Sequence, residues 1–191
     1  MRVAASVSSA FRAPTFNELY GPFGSNPALD PERARSAEAG LTYSGALGLA
    51  RVTAFVPRTR DLINFVPPTW NATNVDRAEN RGVELSWSGT FGGFDVRSAL
   101  TFQNPEDKST GLGLRRRADR FGSLSLGQAR GAFDWRAEVL ASGPHPDVHV
   151  TTFSRVIVPG HAALNLNLGW KPALDWKLSA KLVNLLDKDY M

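Results

Sequence analysis

Residues 164–182 read Leu-Asn-Leu-Asn-Leu-Gly-Trp-Lys-Pro-Ala-Leu-Asp-Trp-Lys-Leu-Ser-Ala-Lys-Leu. Leu164, Leu166, Leu168 and Trp170 alternate with Asn165, Asn167 and Gly169. Beyond the Lys171-Pro172-Ala173 turn, Trp176, Leu178, Ala180 and Leu182 alternate with Lys177, Ser179 and Lys181. The period is 2, not 3.6, so both arms are extended strands with one greasy side and one wet side. Each arm is close to the ~10 residues with which a tilted strand crosses a bilayer. Trp170 and Trp176 flank the turn, and rings with a polar edge gather where an apolar solvent meets water.

The same grammar recurs upstream. Short turns fall at 44–46, 90–93 and 128–131, with Tyr43, Trp87, Phe94, Phe133 and Trp135 beside them. Together with Trp170 and Trp176 these rings form a predicted membrane-interface girdle. Strand-like stretches run over 2–10, 34–43, 48–57, 79–88, 94–103, 117–127, 132–142, 159–170 and 174–185. Long loops over 11–33, 58–78, 104–116 and 143–158 alternate with the short turns, the asymmetry of an up-and-down outer-membrane barrel. Glu38, Arg51, Glu84, Arg97, Arg136, Glu138, Lys177 and Lys181 fall on the polar sides. In a watery lumen they are tolerable, and Glu84 and Glu138 are expected to pair with lumen arginines; in a soluble core so many charges would be prohibitive. The fold class expected is therefore all-β: a portion of an antiparallel transmembrane barrel, about nine strands, not closed on its own.

Composition bounds the alternatives. No run approaches the ~20 apolar residues of a transmembrane helix. A slightly polar mean hydropathy of -0.22 does not decide against a membrane, because a transmembrane strand shows lipid only every second side chain. With no cysteine there is no disulfide framework and no thiolate metal site. The net charge of +4 is carried mainly by arginine, most sharply at Arg115-Arg116-Arg117 and Arg120. No basic helix or stacking platform follows, so this is a loop edge or lumen rim and no nucleic-acid partner is expected. Met1 to Ser6 holds no apolar leader. Either a leader lies upstream of this sequence or the membrane reading fails. A β-propeller is the soluble rival, since turns recur roughly every 40 residues. Its blades hold four short strands in that length, however, where this chain has two long ones.

Residues 11–40 contain Phe11-Arg12-Ala13-Pro14, Leu19-Tyr20, Asn26-Pro27, Pro31-Glu32 and Glu38-Ala39-Gly40. Asp61-Leu62-Ile63-Asn64-Phe65, Asn80-Arg81-Gly82-Val83-Glu84 and Asn184-Leu185-Leu186-Asp187-Lys188-Asp189-Tyr190 follow in order. This series resembles the TonB-dependent outer-membrane receptors. The motif positions are Arg12, Pro14, Asn26, Pro27, Glu32, Arg81, Gly82, Glu84, Asn184, Asp187 and Tyr190. The resemblance implies a 22-stranded barrel with an N-terminal plug, sited in the outer membrane of a Gram-negative bacterium and driven by the TonB energy-transducing system. It implies that residues 1–191 are a C-terminal portion lacking the plug, the early strands and the last strand. Within the family, the compact loops and residues 112–118 resemble the vitamin B12 (cobalamin) transporters. A siderophore receptor and a passive pore or adhesin are the alternatives.

For ligand capture, Tyr20, Phe23 and Trp70 stand in long loops, where flat rings either stack on a large ligand or simply pack the loops. His145, Asp147 and His149 lie near one another but without a helix to fix their spacing, so no metal site is expected. No nucleophile elbow, zinc motif or phosphate-cradling loop occurs. No catalytic residue, enzyme activity or cofactor is predicted.

Overall fold

The computed structural model describes residues 1–66 and 68–189. Nine long strands form the wall: β1 (Arg2–Arg12), β2 (Glu32–Gly45), β3 (Gly48–Val66), β4 (Asn71–Phe91), β5 (Phe94–Asp107), β7 (Arg120–Arg130), β8 (Phe133–Ser142), β11 (His161–Ala173) and β12 (Trp176–Leu182). Three short strands decorate the loops: β6 (Leu112–Gly113) pairs with β5, and β9 (His145–Val148) pairs with β10 (Arg155–Val158). One five-residue helix, α1 (Phe16–Tyr20), interrupts the first long loop. The wall runs β1-β2-β3-β4-β5-β7-β8-β11-β12, each strand antiparallel to the one before.

Register sorts the side chains onto two faces. Leu166 lies opposite Ala137 and Leu182, and Leu168 opposite Trp135 and Ala180. Followed across the wall, this face carries Leu124 and Leu126 on β7, Val96 and Leu100 on β5, Val83 and Leu85 on β4. It continues through Val52 and Ala54 on β3, Leu41 and Ala39 on β2, and Val3 and Ala5 on β1. No charged side chain interrupts it between these rows. The other face holds Glu38, Arg51, Glu84, Arg97, Arg136, Glu138 and Lys181. The described side chains form only small buried clusters, and large apolar residues such as Val7, Leu124 and Leu178 stand exposed. A water-soluble sheet would cover that face; hydrocarbon leaves it stable as it is.

All seven girdle residues, Tyr43, Trp87, Phe94, Phe133, Trp135, Trp170 and Trp176, lie on the apolar face at the short-turn end. Neighbours touch: Phe133 stacks on Trp170 at 5.8 Å between ring centres, and Phe94 meets Trp135 edge-on at 6.3 Å. The short turns are two-residue loops, since Gly45 pairs Gly48, Phe91 pairs Phe94, Arg130 pairs Phe133 and Ala173 pairs Trp176. Gly92 and Gly93 have φ of 58° and 81°, the left-handed pair that a twisted hairpin needs and that only glycine adopts freely.

The expected loops differ in three places. Residues 58–78 are strand for most of their length: β3 and β4 continue as one hairpin well past the apolar band. Pro57, the last residue of the expected strand 48–57, lacks a ladder donor. It pairs with Ser36 on β2, while the β3–β4 ladder skips Val56 and Pro57 and resumes at Arg58–Glu79 in the same register. One donor is lost and the strand goes on. Residues 104–107 likewise extend β5, and Pro105 sits opposite Asn80. Pro146 does not prevent pairing either; it lies opposite Ile157 in the β9–β10 hairpin.

Candidate functional site

The long-loop end gathers two constructions. The first is a clamp. Arg12, the last residue of β1, donates from Nη1 to Glu18 Oε2 at 3.0 Å and from Nη2 to Glu32 Oε1 at 2.7 Å. Glu32 opens β2 and also accepts from the Ile63 backbone at 2.8 Å, so one carboxylate joins β1, β2 and the β3–β4 extension. Glu18 closes a capping box with Thr15 at the start of α1. The Arg12 guanidinium holds both carboxyls below the usual carboxylate range, against a burial that pushes them up. Behind the clamp, residues 13–31 dock on the β3–β4 hairpin. Leu29, Ile63 and Ala72 form a small buried cluster with Leu19 against it, and the Asn26 side chain donates to the Ala72 carbonyl at 3.1 Å.

The second is a pocket of about 570 Å³ between the β3–β4 tip, residues 114–117 and the β9–β10 hairpin. Trp70 and Phe153 meet edge-on at 5.4 Å. Arg115 lies over the Trp70 ring at 5.7 Å and donates to Asn64 Oδ1 at 2.9 Å and to the Phe65 carbonyl at 3.0 Å. Arg116 holds Asp147 at 3.1 Å. Burial raises the Asp147 carboxyl, but the Val148 N–H and Arg116 outweigh it and the net shift is downward. Trp70, Arg116 and Phe153 all have φ between 54° and 57°. Bulky residues held there cost on the order of 1–3 kcal/mol each and cluster at ligand sites. The pocket joins aromatic faces to guanidiniums, which suits a large ligand with flat and anionic parts.

Of the three predicted ligand residues, Trp70 lines this pocket. Tyr20 and Phe23 do not; Tyr20 packs against Phe16 at 5.6 Å and Phe23 is 85% exposed. The predicted loop-edge arginines 115–117 are pocket walls. Phe153 and Asn64 were missed, since no local pattern links residues 64, 115 and 153. The carboxylate and imidazole considered for a metal have other contacts: Asp147 holds Arg116, and His149 Nδ1 accepts backbone N–H groups of Thr151 and Thr152 at 3.2 Å. Glu84 and Glu138 form no ion pair among the described residues, contrary to expectation; the neighbours directly across from them are Thr53, Thr101, Ser125 and Asn165.

Residues 1–185 match the family described as "TonB dependent receptor-like, beta-barrel". The chain belongs to the TonB-dependent receptor family. Among curated relatives, the vitamin B12 transporter BtuB of Vibrio vulnificus is 28% identical over 190 residues, covering 97% of this chain and 30% of its own. That of Photobacterium profundum is 26% identical over 200 residues, covering 100% and 32%. The chain thus spans about a third of the length of the curated relatives it matches. Among solved structures, the copper transporter OprC superposes with a TM-score of 0.83 at 24% identity, over 98% of this chain and 31% of that one. A ferric enterobactin receptor of Pseudomonas aeruginosa gives 0.77 at 20% identity, over 97% and 32%.

The motif positions of this TonB-dependent receptor chain now have places. Arg12 and Glu32 are the clamp, Pro14 lies just before α1, and Asn26-Pro27 dock the first loop. Gly82 lies where a Cβ would strike the Phe102 carbonyl and the Phe55 ring. Arg81 faces outward and Glu84 inward on β4. Asn184, with φ of 52°, exchanges side-chain hydrogen bonds with the Lys188 backbone, and the Asp187 N–H donates to its carbonyl. Tyr190 lies outside the described residues.

Proposed function

We propose that the chain is the C-terminal barrel portion of an active-uptake receptor in the Gram-negative outer membrane, with cobalamin as its cargo. The observation that carries this reading is one apolar face running unbroken across nine antiparallel strands and crowned by the Trp70–Arg115–Phe153 pocket. β1 and β12 each pair on one side only. Open backbone groups in lipid cost several kcal/mol each, so those edges call for further strands. A plug inside the closed barrel would couple the receptor to the TonB system. The role is uptake, without bond-making chemistry.

Cobalamin is favoured because B12 transporters match along nearly the whole chain. A ferric siderophore is the second reading, supported by the run Arg115-Arg116-Arg117 beside two aromatic rings, which suits an anionic planar chelate. Titration of the purified receptor with cyanocobalamin and with a ferric catecholate, read by tryptophan quenching, tests both. Saturable binding of cobalamin that weakens in Trp70→Ala supports the first. Binding of the catecholate alone moves the cargo to the second, and saturation by neither refutes uptake in favour of a passive pore.

A further inference from the structure

Above the apolar band, on the same outward face, the wall turns abruptly cationic over β2 to β5. Two residues beyond Ala37 and Val56 comes a row of Arg35, Arg58, Glu79 and Glu106. Two further on, Arg33 lies opposite Arg60 and Arg60 opposite Arg77. Lys108 extends that row, its backbone N–H donating to the Arg77 carbonyl at 2.8 Å. Four cations thus stand side by side across four strands. Cross-strand neighbours have Cβ atoms roughly 5 Å apart, and like charges placed directly opposite are destabilising. An anion set between the guanidiniums relieves that repulsion.

Two carboxylates of the patch are already committed. Glu79 binds Arg58 at 2.7 Å and Glu106 binds Lys108 at 2.8 Å. Arg33, Arg35, Arg60, Arg77 and Arg81 are exposed and make no side-chain hydrogen bond or ion pair among the described residues. A cleft of about 390 Å³ opens between Arg60, Asp61, Arg77, Lys108 and Ser109, within the size range of small-ligand sites; its three cations outnumber the one carboxylate. Height identifies the occupant. At about 3.4 Å per residue and ~40° of tilt, the two rows stand roughly 5 and 10 Å above the last apolar row. A bilayer's polar layer is on the order of 5–7 Å thick on each side of its hydrocarbon, so long arginine side chains reach that layer from both rows. The patch is also one-sided: on β7 to β12 this face carries only Arg120 at comparable height, beside Phe102.

We propose that the Arg33–Arg60–Arg77 row and its neighbours form a docking site for the phosphate groups of an anionic lipid in the leaflet at the long-loop end. Bidentate guanidinium–phosphate contacts hold the headgroup, and the Ala37–Val56–Val83 surface below receives the acyl chains. This rests on the membrane-embedded reading above. The receptor, purified in neutral detergent, is offered phosphatidic acid, phosphatidylcholine and diacylglycerol, with bound lipid counted by native mass spectrometry. Phosphatidic acid is expected to be retained at least tenfold better than diacylglycerol. R33Q, R60Q and R77Q each weaken that retention roughly fivefold. The charge-matched R51Q/R97Q/R136Q set, on the opposite face, leaves it unchanged. R33K/R60K/R77K, which keeps the charge without the fork, guards against a folding defect by retaining part of the preference.

Equal retention of charged and neutral lipid overturns the proposal while leaving the membrane reading intact. Equal loss in the opposite-face set overturns it too. Displacement by millimolar inorganic phosphate overturns it in favour of a free-anion site. Retention of no lipid at all overturns both readings.

Discussion

Leu166 sits at the middle of β11 on the apolar face, between Ala137 and Leu182. It lies four residues from Trp170 of the girdle, which is ~13 Å along a strand and about 10 Å along the membrane normal at ~40° of tilt. An outward apolar band of ~25 Å then places Leu166 near its centre. Leu166→Arg is expected to cost about 2–4 kcal/mol, Leu168→Arg an intermediate amount, and Trp170→Arg about 0–1 kcal/mol. Asn167→Arg, one position away on the polar face, is expected to cost under about 1 kcal/mol. The assay is reversible folding of the receptor into phosphatidylcholine vesicles, followed by tryptophan emission against guanidinium. The gradient with depth is the discriminating result. A protein-packed core would penalise Leu166 and Leu168 alike and would not track distance from the girdle. If the three outward variants cost the same, or if Asn167→Arg costs as much as Leu166→Arg, the assignment of faces is wrong.

Other outcomes follow from the loop end. Arg12→Met leaves Glu18 and Glu32 without their partner; the cost is expected to be about 2 kcal/mol, between exposed and buried pairs, and proteolysis within residues 13–31 should accelerate. Because both carboxyls sit below their ordinary value in the folded state, their contribution is complete above about pH 4.3 and is lost as pH falls through the depressed values. Protection of that loop from hydrogen exchange should therefore drop as pH falls below about 4 in the wild type and change little in Arg12→Met. Arg115→Ala removes a ring contact and two charge-assisted hydrogen bonds; ligand affinity should fall by roughly tenfold or more, measured by the same quenching titration. Gly82→Ala forces a methyl into Phe55 and the β5 backbone and should destabilise by about 1–3 kcal/mol in the vesicle assay.

The wall was legible because its signal is local. Leu164 to Trp170 alternate for a reason that needs no partner, and every girdle ring lies within four positions of a turn that glycine or proline announces. The extension of β3 was not legible. The polar run that follows Pro57 read as a loop, yet pairing with β2 and β4 overrides propensity once the hairpin is held from both sides. The pocket was illegible for a different reason. Trp70, Arg115 and Phe153 come from three separate excursions of the chain, and only the side-by-side order of the hairpins brings them together. The clamp stood between these cases. Arg12 and Glu32 were noticed as motif positions, but nothing in the spacing revealed that one guanidinium grips both Glu32 and Glu18.

The four two-residue turns have a consequence for evolution as well as for shape. With no slack at that end, adjacent strands cannot slide past one another, so shear is fixed and, with it, the radius a closed barrel would have. The opposite rim is free of that constraint. Insertions there can remodel the loop surface while the diameter of the closed wall stays the same.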